Sequence, residues 1–371
     1  MRQRPFLAAR VEKQFNRRLG ASLRRLGWSD TIIGYTGYGS TSRLRVLGRV
    51  VLTRHGRQDQ VPSTREDSWA GRRGWRNFVN LPAVNRPVTV EAGGCTSNAM
   101  TDRDGYIDVT ISQHHLSPGW HLVRIISHDA TVTQAPVLII GDDTDFGIIS
   151  DIDDTIITSY LPRMMIAAYN TFVLTESART AVPGMAALYR RILRNHDRAP
   201  IFYLSTGSWG TQPFLERFLG RHGYPAGPML LTDWGPTNSG WFRSGPDHKR
   251  ISLINLARDF PNIRWLLIGD DGQHDPAIYG EFAKNYPDNV VAIAIRELPM
   301  VEQILAHGSP GQLDQSVAVA RPLKRQSARR SGRTKAIASR PSPSSSQTPM
   351  VAGADGFALN PLLADLLHQD G

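Results

Sequence analysis

The amino-acid sequence predicts an α/β fold in which a doubly wound parallel sheet follows a β-sandwich-like domain. Over residues 146–305, short apolar runs alternate with helical patterns, which is typical of a parallel sheet with helices on both faces. Over residues 29–145, short β-branched and aromatic runs alternate with turn residues, which favours a β-sandwich. The length of 371 residues leaves room for both domains.

Composition and charge narrow the class of protein. The single cysteine, Cys95, excludes an intrachain disulfide and fits a reducing compartment, so we expect a cytoplasmic protein. No apolar run reaches the roughly 18 residues of a membrane-spanning helix, and the basic N-terminus lacks the apolar core of a signal peptide. The formal net charge is +10, and residues 1–26 and 321–340 each carry eight Lys or Arg residues. Basic flanks of this kind suit an anionic surface.

Residues 1–28 are predicted to form a basic amphipathic helix. Apolar residues recur every three or four positions from Leu7 to Leu26, and arginines lie between them. Two interpretations stay open. The helix could pack on the following domain with its arginines in water, or it could lie on an anionic membrane and make the protein a peripheral membrane protein.

The β-rich region, residues 29–145, shows no catalytic pattern. Asp102 to Tyr106 reads as a hairpin turn between two strands, and residues 56–80, rich in Arg, Gly and Trp, read as a long loop. We expect this region to bind, to position the second domain or to pack against it.

The strands of the α/β region, residues 146–305, end in polar residues. Asp151 follows the first strand, Ser205 the second and Asp270 the fourth. Ligands bind at the carboxyl ends of the strands in such sheets, so these side chains are predicted to converge.

The last region, residues 306–371, is predicted to be a disordered basic tail rich in Ser and Pro. It is too polar to bury a core. Its apolar stretch 357–368 is a candidate for a short terminal helix.

Three aspartates follow the first strand of the α/β region, and a calcium loop does not explain them. An EF-hand needs Gly at its sixth position and Glu at its twelfth. Counted from Asp151, those positions hold Ile156 and Pro162. A Walker-type phosphate loop is also absent from the sequence.

Phosphoryl transfer explains the aspartates better. Asp151 and Asp153 are spaced so that one carboxylate could attack phosphorus while the other moves protons. The accumulated negative charge requires a hard cation, which points to Mg²⁺. Asp270, Asp271 and Asp275 could supply further metal ligands, although Asp275 could instead cap the helix that begins near Pro276.

Phosphoryl oxygens also need hydrogen-bond donors. Ser205 offers a hydroxyl, and Thr206 and Gly207 offer main-chain amides. Lys249 opens a predicted helix, where a cation opposes the helix dipole. Lys249 is therefore either a functional cation or a solvated lysine.

These motifs, in this order, resemble those of the haloacid dehalogenase superfamily phosphatases. The segment 146–300 more narrowly resembles the catalytic domain of the actin-patch type of phosphatidate phosphatase. The stretches that carry the resemblance are SDIDDTI, FYLSTGSW, HK and LLIGDDGQHDPAIY.

The resemblance implies a role for each residue of the motifs. Asp151 would be the nucleophile and a Mg²⁺ ligand, and Asp153 would be the general acid and base, with its main-chain carbonyl on the metal. Ser205 and Lys249 would bind the phosphoryl group, and Asp270 would bind the metal with support from Asp275. Thr155 would shape the turn and, with Thr206 and Gly207, contact the substrate. Asp154 and Asp271 would support the residues that bind the metal and the substrate.

The sequence therefore predicts a Mg²⁺-dependent phosphatase that acts on phosphatidate or a related lipid phosphomonoester. No gap between the motifs can hold a large cap domain, which leaves the predicted site open to a bulky ester. One alternative keeps the chemistry and changes the substrate to a soluble phosphate ester or a phosphoprotein. Another is a non-catalytic protein that binds anionic lipid or nucleic acid, although the flanks lack the interleaved aromatic residues that stack on bases.

Overall fold

The computed structural model describes residues 23–54, 81–129, 131–159, 179–232, 245–272, 274–299 and 348–367. The amphipathic helix predicted over residues 1–28 lies outside these ranges except for its last residues. The loop predicted over 56–80 and the stretch 306–347 of the predicted disordered tail also lie outside them.

Eight strands form one mixed sheet in the N-terminal half. They are β1 (Trp28–Ser40), β2 (Arg43–Arg54), β3 (Leu81–Pro82), β4 (Pro87–Ala92), β5 (Cys95–Met100), β6 (Tyr106–Ser112), β7 (Gly119–Ser127) and β8 (Val132–Ile140). The strand order is β3-β2-β1-β8-β7-β4-β5, and β6 pairs with the other end of β2. The β1–β8 pair is parallel, whereas the other pairs in this sheet are antiparallel.

This curled, half-barrel sheet differs from the predicted β-sandwich. Strands on opposite sides of the curl share one core, to which Val46, Val90, Val109, Ile125 and Val137 contribute. The turn at Asp102–Tyr106 does not close a hairpin, because β5 pairs with β4 and β6 pairs with β2. Alternating apolar residues identify the buried face of each strand but not its partner strand, so the sequence pattern could not distinguish one curled sheet from two packed sheets.

The second half is an α/β unit built on a six-stranded parallel sheet. Its strands and helices are β9 (Phe146–Asp151), β10 (Ile157–Ser159), β11 (Arg179–Ala181), α1 (Met185–Arg194), β12 (Ile201–Ser208), α2 (Gln212–His222), β13 (Met229–Thr232), α3 (Gly245–Asp259), β14 (Arg264–Asp270), α4 (Asp275–Asn285), β15 (Val290–Arg296), β16 (Met350–Gly353) and α5 (Gly356–Leu367). The sheet order is β13-β12-β9-β14-β15-β16. Strands β10 and β11 form a separate pair.

The parallel sheet is buried on both faces, as the prediction of a helix-covered sheet required. Every residue of β9 is buried, because α1, α2 and α5 pack on one face and α3 and α4 pack on the other. The chain leaves β9 toward β12 on one side and later returns to β14 on the other. The carboxyl end of β9 therefore lies at the point where the strand order reverses, which is where ligands bind in open α/β sheets.

Within the tail predicted as disordered over 306–371, the structure places a strand that the sequence did not predict, and it shows a helix, α5, at the stretch 357–368 that was the candidate for one. Residues Met350–Gly353 form β16, which pairs in parallel with β15. The Asp355 carboxylate accepts a hydrogen bond from the Ala358 N–H at 2.9 Å and caps α5. The stretch that forms β16 is too short for its residue pattern to predict a strand. It is stabilised by pairing with β15, which lies more than 50 residues earlier in the chain.

The two sheets contact each other through aromatic rings. Tyr35 of β1 stacks on Trp209 at a centroid distance of 5.2 Å, and Tyr38 meets the edge of Phe202 at 5.0 Å. Trp209 therefore serves packing. Among the helices that the structure describes, none has the length and apolarity needed to cross a membrane.

Candidate active site

The loop after β9 places the first aspartates. Asp151 is the last residue of β9 and is buried, whereas Asp153 is half-buried. The main-chain N–H groups of Ile156 and Ile157 both donate to the Ile152 carbonyl, at 3.0 and 3.1 Å, and close the loop tightly. Asp154 adopts a left-handed backbone with φ of 60°, a conformation that aspartate tolerates better than most residues.

Asp270 and Asp275 approach this loop from the neighbouring strand. Asp270 ends β14, which pairs directly with β9, and Asp275 is the first residue of α4. Gly269 permits the approach, because a Cβ there would lie 2.6 Å from Asp275 Oδ2. The Asp275 side chain faces the site, because its Oδ1 accepts a hydrogen bond from Lys249. This oxygen therefore does not cap the helix, which was the alternative that the sequence left open.

Lys249 joins two of these carboxylates. It lies in the second turn of α3, which begins at Gly245, and its side chain is only 2% exposed. Its Nζ lies 2.6 Å from Asp151 Oδ1 and 2.5 Å from Asp275 Oδ1. The interpretation of Lys249 as a solvated lysine is therefore wrong.

The charges in this cluster do not balance. Asp151, Asp270 and Asp275 are three buried carboxylates, and Lys249 is the one buried ammonium that pairs with them among the described residues. Burial raises the pKa of Asp151 and Asp270 well above the ordinary value, and their mutual repulsion with Asp275 raises both further, while Lys249 lowers them. Burial alone would lower the pKa of Lys249, but the surrounding carboxylates outweigh burial and raise it.

Three carboxylate oxygens in the cluster also lack hydrogen-bond partners. Within the described part of the chain, Asp270 Oδ1, Asp270 Oδ2 and Asp275 Oδ2 are buried and unbonded. Asp151, Asp270 and Asp275 each offer an oxygen, and these oxygens lie within 4.8 Å of one another. Buried carboxylates without partners are costly. An all-oxygen set with two excess negative charges fits a hard divalent cation such as Mg²⁺.

Ser205 lies inside the neighbouring strand β12, which continues to Ser208, so it does not follow the strand as the sequence predicted. Its hydroxyl donates to Asp153 Oδ2 at 2.8 Å and accepts from the Gly207 N–H at 2.9 Å. Ser205 thereby connects Asp153 to the last residues of β12, which include Thr206 and Gly207. The Thr206 and Gly207 carbonyls accept hydrogen bonds from the Thr232 hydroxyl, which ties the end of β12 to β13.

Thr155 and Asp271 have supporting positions. Thr155 is fully buried, and its hydroxyl donates to Asp151 Oδ2 at 3.3 Å, so it orients the carboxylate and does not face open space. Asp271 Oδ1 accepts the Leu298 N–H at 2.8 Å. A cavity of about 30 Å³, the size of one water molecule, lies beside Lys249 and is lined by Thr206, Pro246, Lys249, His274, Asp275 and Ile278.

Sequence reasoning missed Arg296 and Tyr189. Arg296 ends β15, is buried, and donates to the Asp154 carbonyl at 2.6 Å. The Tyr189 hydroxyl forms a 2.7 Å hydrogen bond with the hydroxyl of Ser150, the residue that precedes Asp151. Applying the strand-end rule to the fifth strand as well would have identified Arg296, whereas Tyr189 lies on an ordinary apolar helix face and gives no such signal.

The buried cluster of carboxylates and Lys249 at the reversal point of the parallel sheet is the candidate active site of this chain. Residues 146–297 match the family model described as phosphatidate phosphatase APP1, catalytic domain. This match over residues 146–297 confirms the resemblance that the motifs of the segment carry.

Two curated relatives share this region. The phosphatidate phosphatase APP1 of Saccharomyces cerevisiae is 29% identical over 153 residues, which cover 40% of this chain and 25% of the relative. An uncharacterized protein of Schizosaccharomyces pombe is 25% identical over 213 residues, covering 54% of this chain and 34% of the relative. The chain thus spans about a quarter to a third of the length of these relatives.

Solved structures add little. A carbohydrate acetylesterase from Xanthomonas citri aligns over 72% of this chain and 68% of its own, with 10% identity and a TM-score of 0.27. A TM-score this low bears on neither the fold nor the function.

Proposed function

We propose that this protein is a Mg²⁺-dependent phosphatase that hydrolyses phosphatidate or a related lipid phosphomonoester through a phosphoaspartyl intermediate. The observation that carries the proposal is the buried cluster of Asp151, Asp270, Asp275 and Lys249, with oxygens that have no partner among the described residues. The cluster lies inside the segment that matches the phosphatidate phosphatase catalytic domain. The haloacid dehalogenase-like topology is part of the same proposal.

The first chemical step assigns work to Asp151 and Asp153. An Asp151 oxygen attacks phosphorus and forms an acyl phosphate, and the ester bond to the leaving oxygen breaks. Asp153, hydrogen-bonded to Ser205, donates its proton to that leaving oxygen. Thr155 keeps the Asp151 carboxylate oriented during the attack.

The second step restores both carboxylates. Asp153 takes a proton from a water molecule, the water oxygen bonds to phosphorus, and the bond from phosphorus to Asp151 breaks. Inorganic phosphate leaves, and Asp153 again carries the proton that it needs for the next cycle. Asp153 is half-buried, whereas Asp151 is buried, and this exposure suits a group that exchanges protons with water.

Charge neutralisation falls to the remaining residues. Asp151, Asp270 and Asp275, with the Asp153 main-chain carbonyl, would hold Mg²⁺, which supplies electrostatic stabilisation to the phosphoryl oxygens when it is bound. Lys249 contributes a fixed positive charge next to Asp151. Ser205, Thr206 and Gly207 are proposed to contact the phosphoryl group, which requires Ser205 to exchange its present partners for the substrate.

The lipid substrate is proposed from two features. The yeast relative is named a phosphatidate phosphatase, and the basic N-terminal segment, residues 1–26, could hold a cytoplasmic enzyme on an anionic membrane. A soluble phosphate ester or a phosphoprotein would need the same catalytic residues, so the test must separate these substrates.

The proposal is tested by phosphate release from vesicle-borne phosphatidate, a soluble alkyl phosphate and a phosphopeptide, with and without Mg²⁺. Wild-type protein is expected to hydrolyse phosphatidate only with Mg²⁺, and Asp151→Asn is expected to lose about a thousandfold or more in kcat. Asp108→Asn, which alters an exposed aspartate of β6, is the matched control and should behave as wild type. Activity in Asp151→Asn equal to the control would overturn the mechanism, and preference for either soluble substrate would overturn the lipid assignment.

A further inference from the structure

Arg296 connects the C-terminal residues to the catalytic loop. Its buried guanidinium donates from Nε to the Ala354 carbonyl at 3.2 Å and from Nη1 to the Asp154 carbonyl at 2.6 Å. Asp154 is the loop residue with left-handed backbone, directly after Asp153. One planar side chain therefore holds the main chain of the loop and the main chain between β16 and α5 in a fixed relation.

The C-terminal unit, residues 348–367, is docked by specific contacts. The Glu297 N–H donates to the Gly353 carbonyl at 2.9 Å, and the Gly356 N–H donates to the Pro183 carbonyl at 3.0 Å. Gly356 and Gly184 touch backbone to backbone, because a Cβ on Gly356 would lie 2.2 Å from the Gly184 carbonyl carbon. This close approach needs glycine at Gly356.

The same unit shares a core with the catalytic loop. Leu359 and Leu363 of α5 are fully buried in the cluster that contains Ile152 and Ile156 of the loop. Two kinds of contact therefore hold the loop, namely the apolar packing of Ile152 and Ile156 and the hydrogen bond from Arg296 to the Asp154 carbonyl. The segment that matches the catalytic-domain family ends at residue 297, before the C-terminal unit begins.

We propose that the C-terminal unit is an integral part of the catalytic domain and that Arg296, held by Ala354, is a positioning residue for Asp153. By fixing the Asp154 carbonyl, Arg296 fixes the main chain next to Asp153 and so limits the positions that the Asp153 carboxyl group can adopt, both while it bonds Ser205 and after substrate has replaced that bond. This inference rests on the proposed function, because it assigns Arg296 to the step in which Asp153 protonates the leaving oxygen.

The test uses two esters that differ in their need for that proton. An alkyl ester such as vesicle-borne phosphatidate has a poor leaving group and depends on the general acid, whereas para-nitrophenyl phosphate has a good leaving group and does not. Arg296→Lys keeps the charge but cannot bind both carbonyls in a fixed fork. We expect it to lower kcat on phosphatidate about tenfold or more and kcat on para-nitrophenyl phosphate about twofold or less.

A second measurement follows the loop itself. Hydrogen exchange at the amides of 152–157 should quicken in Arg296→Lys, and also in Gly356→Val, which loosens the C-terminal unit without touching the loop. Arg86→Lys is the matched control, because Arg86 is a largely buried arginine that bonds Asp30 in the other sheet. It should change neither the ratio of the two kcat values nor exchange in the loop.

The outcomes separate the two proposals. Wild-type protein that hydrolyses neither ester would overturn the proposed function and this inference with it. Active wild-type protein with equal losses on both esters in Arg296→Lys, or with unchanged exchange at 152–157, would leave the phosphatase standing and overturn the positioning role.

Discussion

Two aspartates, one in each half of the molecule, are buried to the same degree, but only one of them has hydrogen-bond partners for its carboxylate among the described residues. Asp30 of β1 and Asp270 of β14 are both 0% exposed. Asp30 receives Arg24 at Oδ1, at 2.8 Å, and Arg86 at Oδ2, at 2.7 Å. Neither oxygen of Asp270 has a hydrogen-bond partner among the residues that the structure describes.

The difference separates a buried carboxylate that is paired within the fold from one that has no partner among the described residues. A buried charge is tolerated when its partners neutralise it, as the arginines do for Asp30. A buried charge without such partners raises the energy of the fold, and folds keep it where a ligand supplies the missing charge. Asp270 lacks such partners among the described residues, and so does one oxygen of Asp275, which is why we propose a cation at this cluster.

The largest expected effect is on catalysis. Asp270→Asn should lower kcat on phosphatidate about a thousandfold or more, because it removes a charge and an oxygen from the proposed metal set. Asp30→Asn should keep kcat near that of wild type in the folded fraction. Steady-state kinetics with saturating Mg²⁺ measures both, and comparable kcat losses in the two variants would break the comparison.

The next effect concerns stability without metal and has opposite signs at the two sites. Asp30→Asn should lower the free energy of unfolding by about 3 kcal/mol, because it leaves two arginines around a neutral group. Asp270→Asn should instead raise it by on the order of 1 kcal/mol, because it relieves repulsion from Asp151 and Asp275. Urea denaturation in the presence of a chelator measures the two values, and a destabilised Asp270→Asn would contradict the assignment.

The pH dependence of stability follows from the raised pKa values of Asp151 and Asp270. In the folded metal-free protein, Asp151 and Asp270 keep their protons to higher pH than in the unfolded chain, where the pKa of aspartate is about 4. Between the pKa of these aspartates in the unfolded chain and their raised pKa in the folded protein, the folded protein binds more protons than the unfolded chain. Its free energy of unfolding should therefore fall as pH rises from the lower pKa to the higher one. Melting temperatures from pH 4 upward should decline less steeply in Asp270→Asn than in wild type. Parallel profiles would contradict this.

The smallest effect is expected at Thr155. Thr155→Val keeps the volume and removes one hydrogen bond to Asp151, so kcat should fall about tenfold or less while KM stays constant. Thr155→Ser, which keeps the hydroxyl, is the control and should recover most of the activity. A rise in KM with unchanged kcat would instead support the substrate-binding role that the resemblance implied.

The site was more predictable from the sequence than the architecture around it. Asp151, Ser205 and Asp270 stand at the ends of apolar runs, and parallel strands bring such ends to one edge of a sheet. The burial of Lys249 and its contact with Asp275 could not be predicted, because they depend on how α3 and α4 pack. The same limit hid β16, whose partner strand lies far away in the sequence, and the curl that brings β5 near β6.

One measurement tests the central claim most directly, namely that Asp270 and its neighbours form a cation site. Isothermal titration of metal-free protein with Mg²⁺ near neutral pH should show one saturable site in wild type and in Asp108→Asn. It should show no binding in Asp270→Asn, and binding to wild type should release protons, because the cation lowers the raised carboxyl pKa values. Mg²⁺ binding by Asp270→Asn with the wild-type affinity would contradict the account.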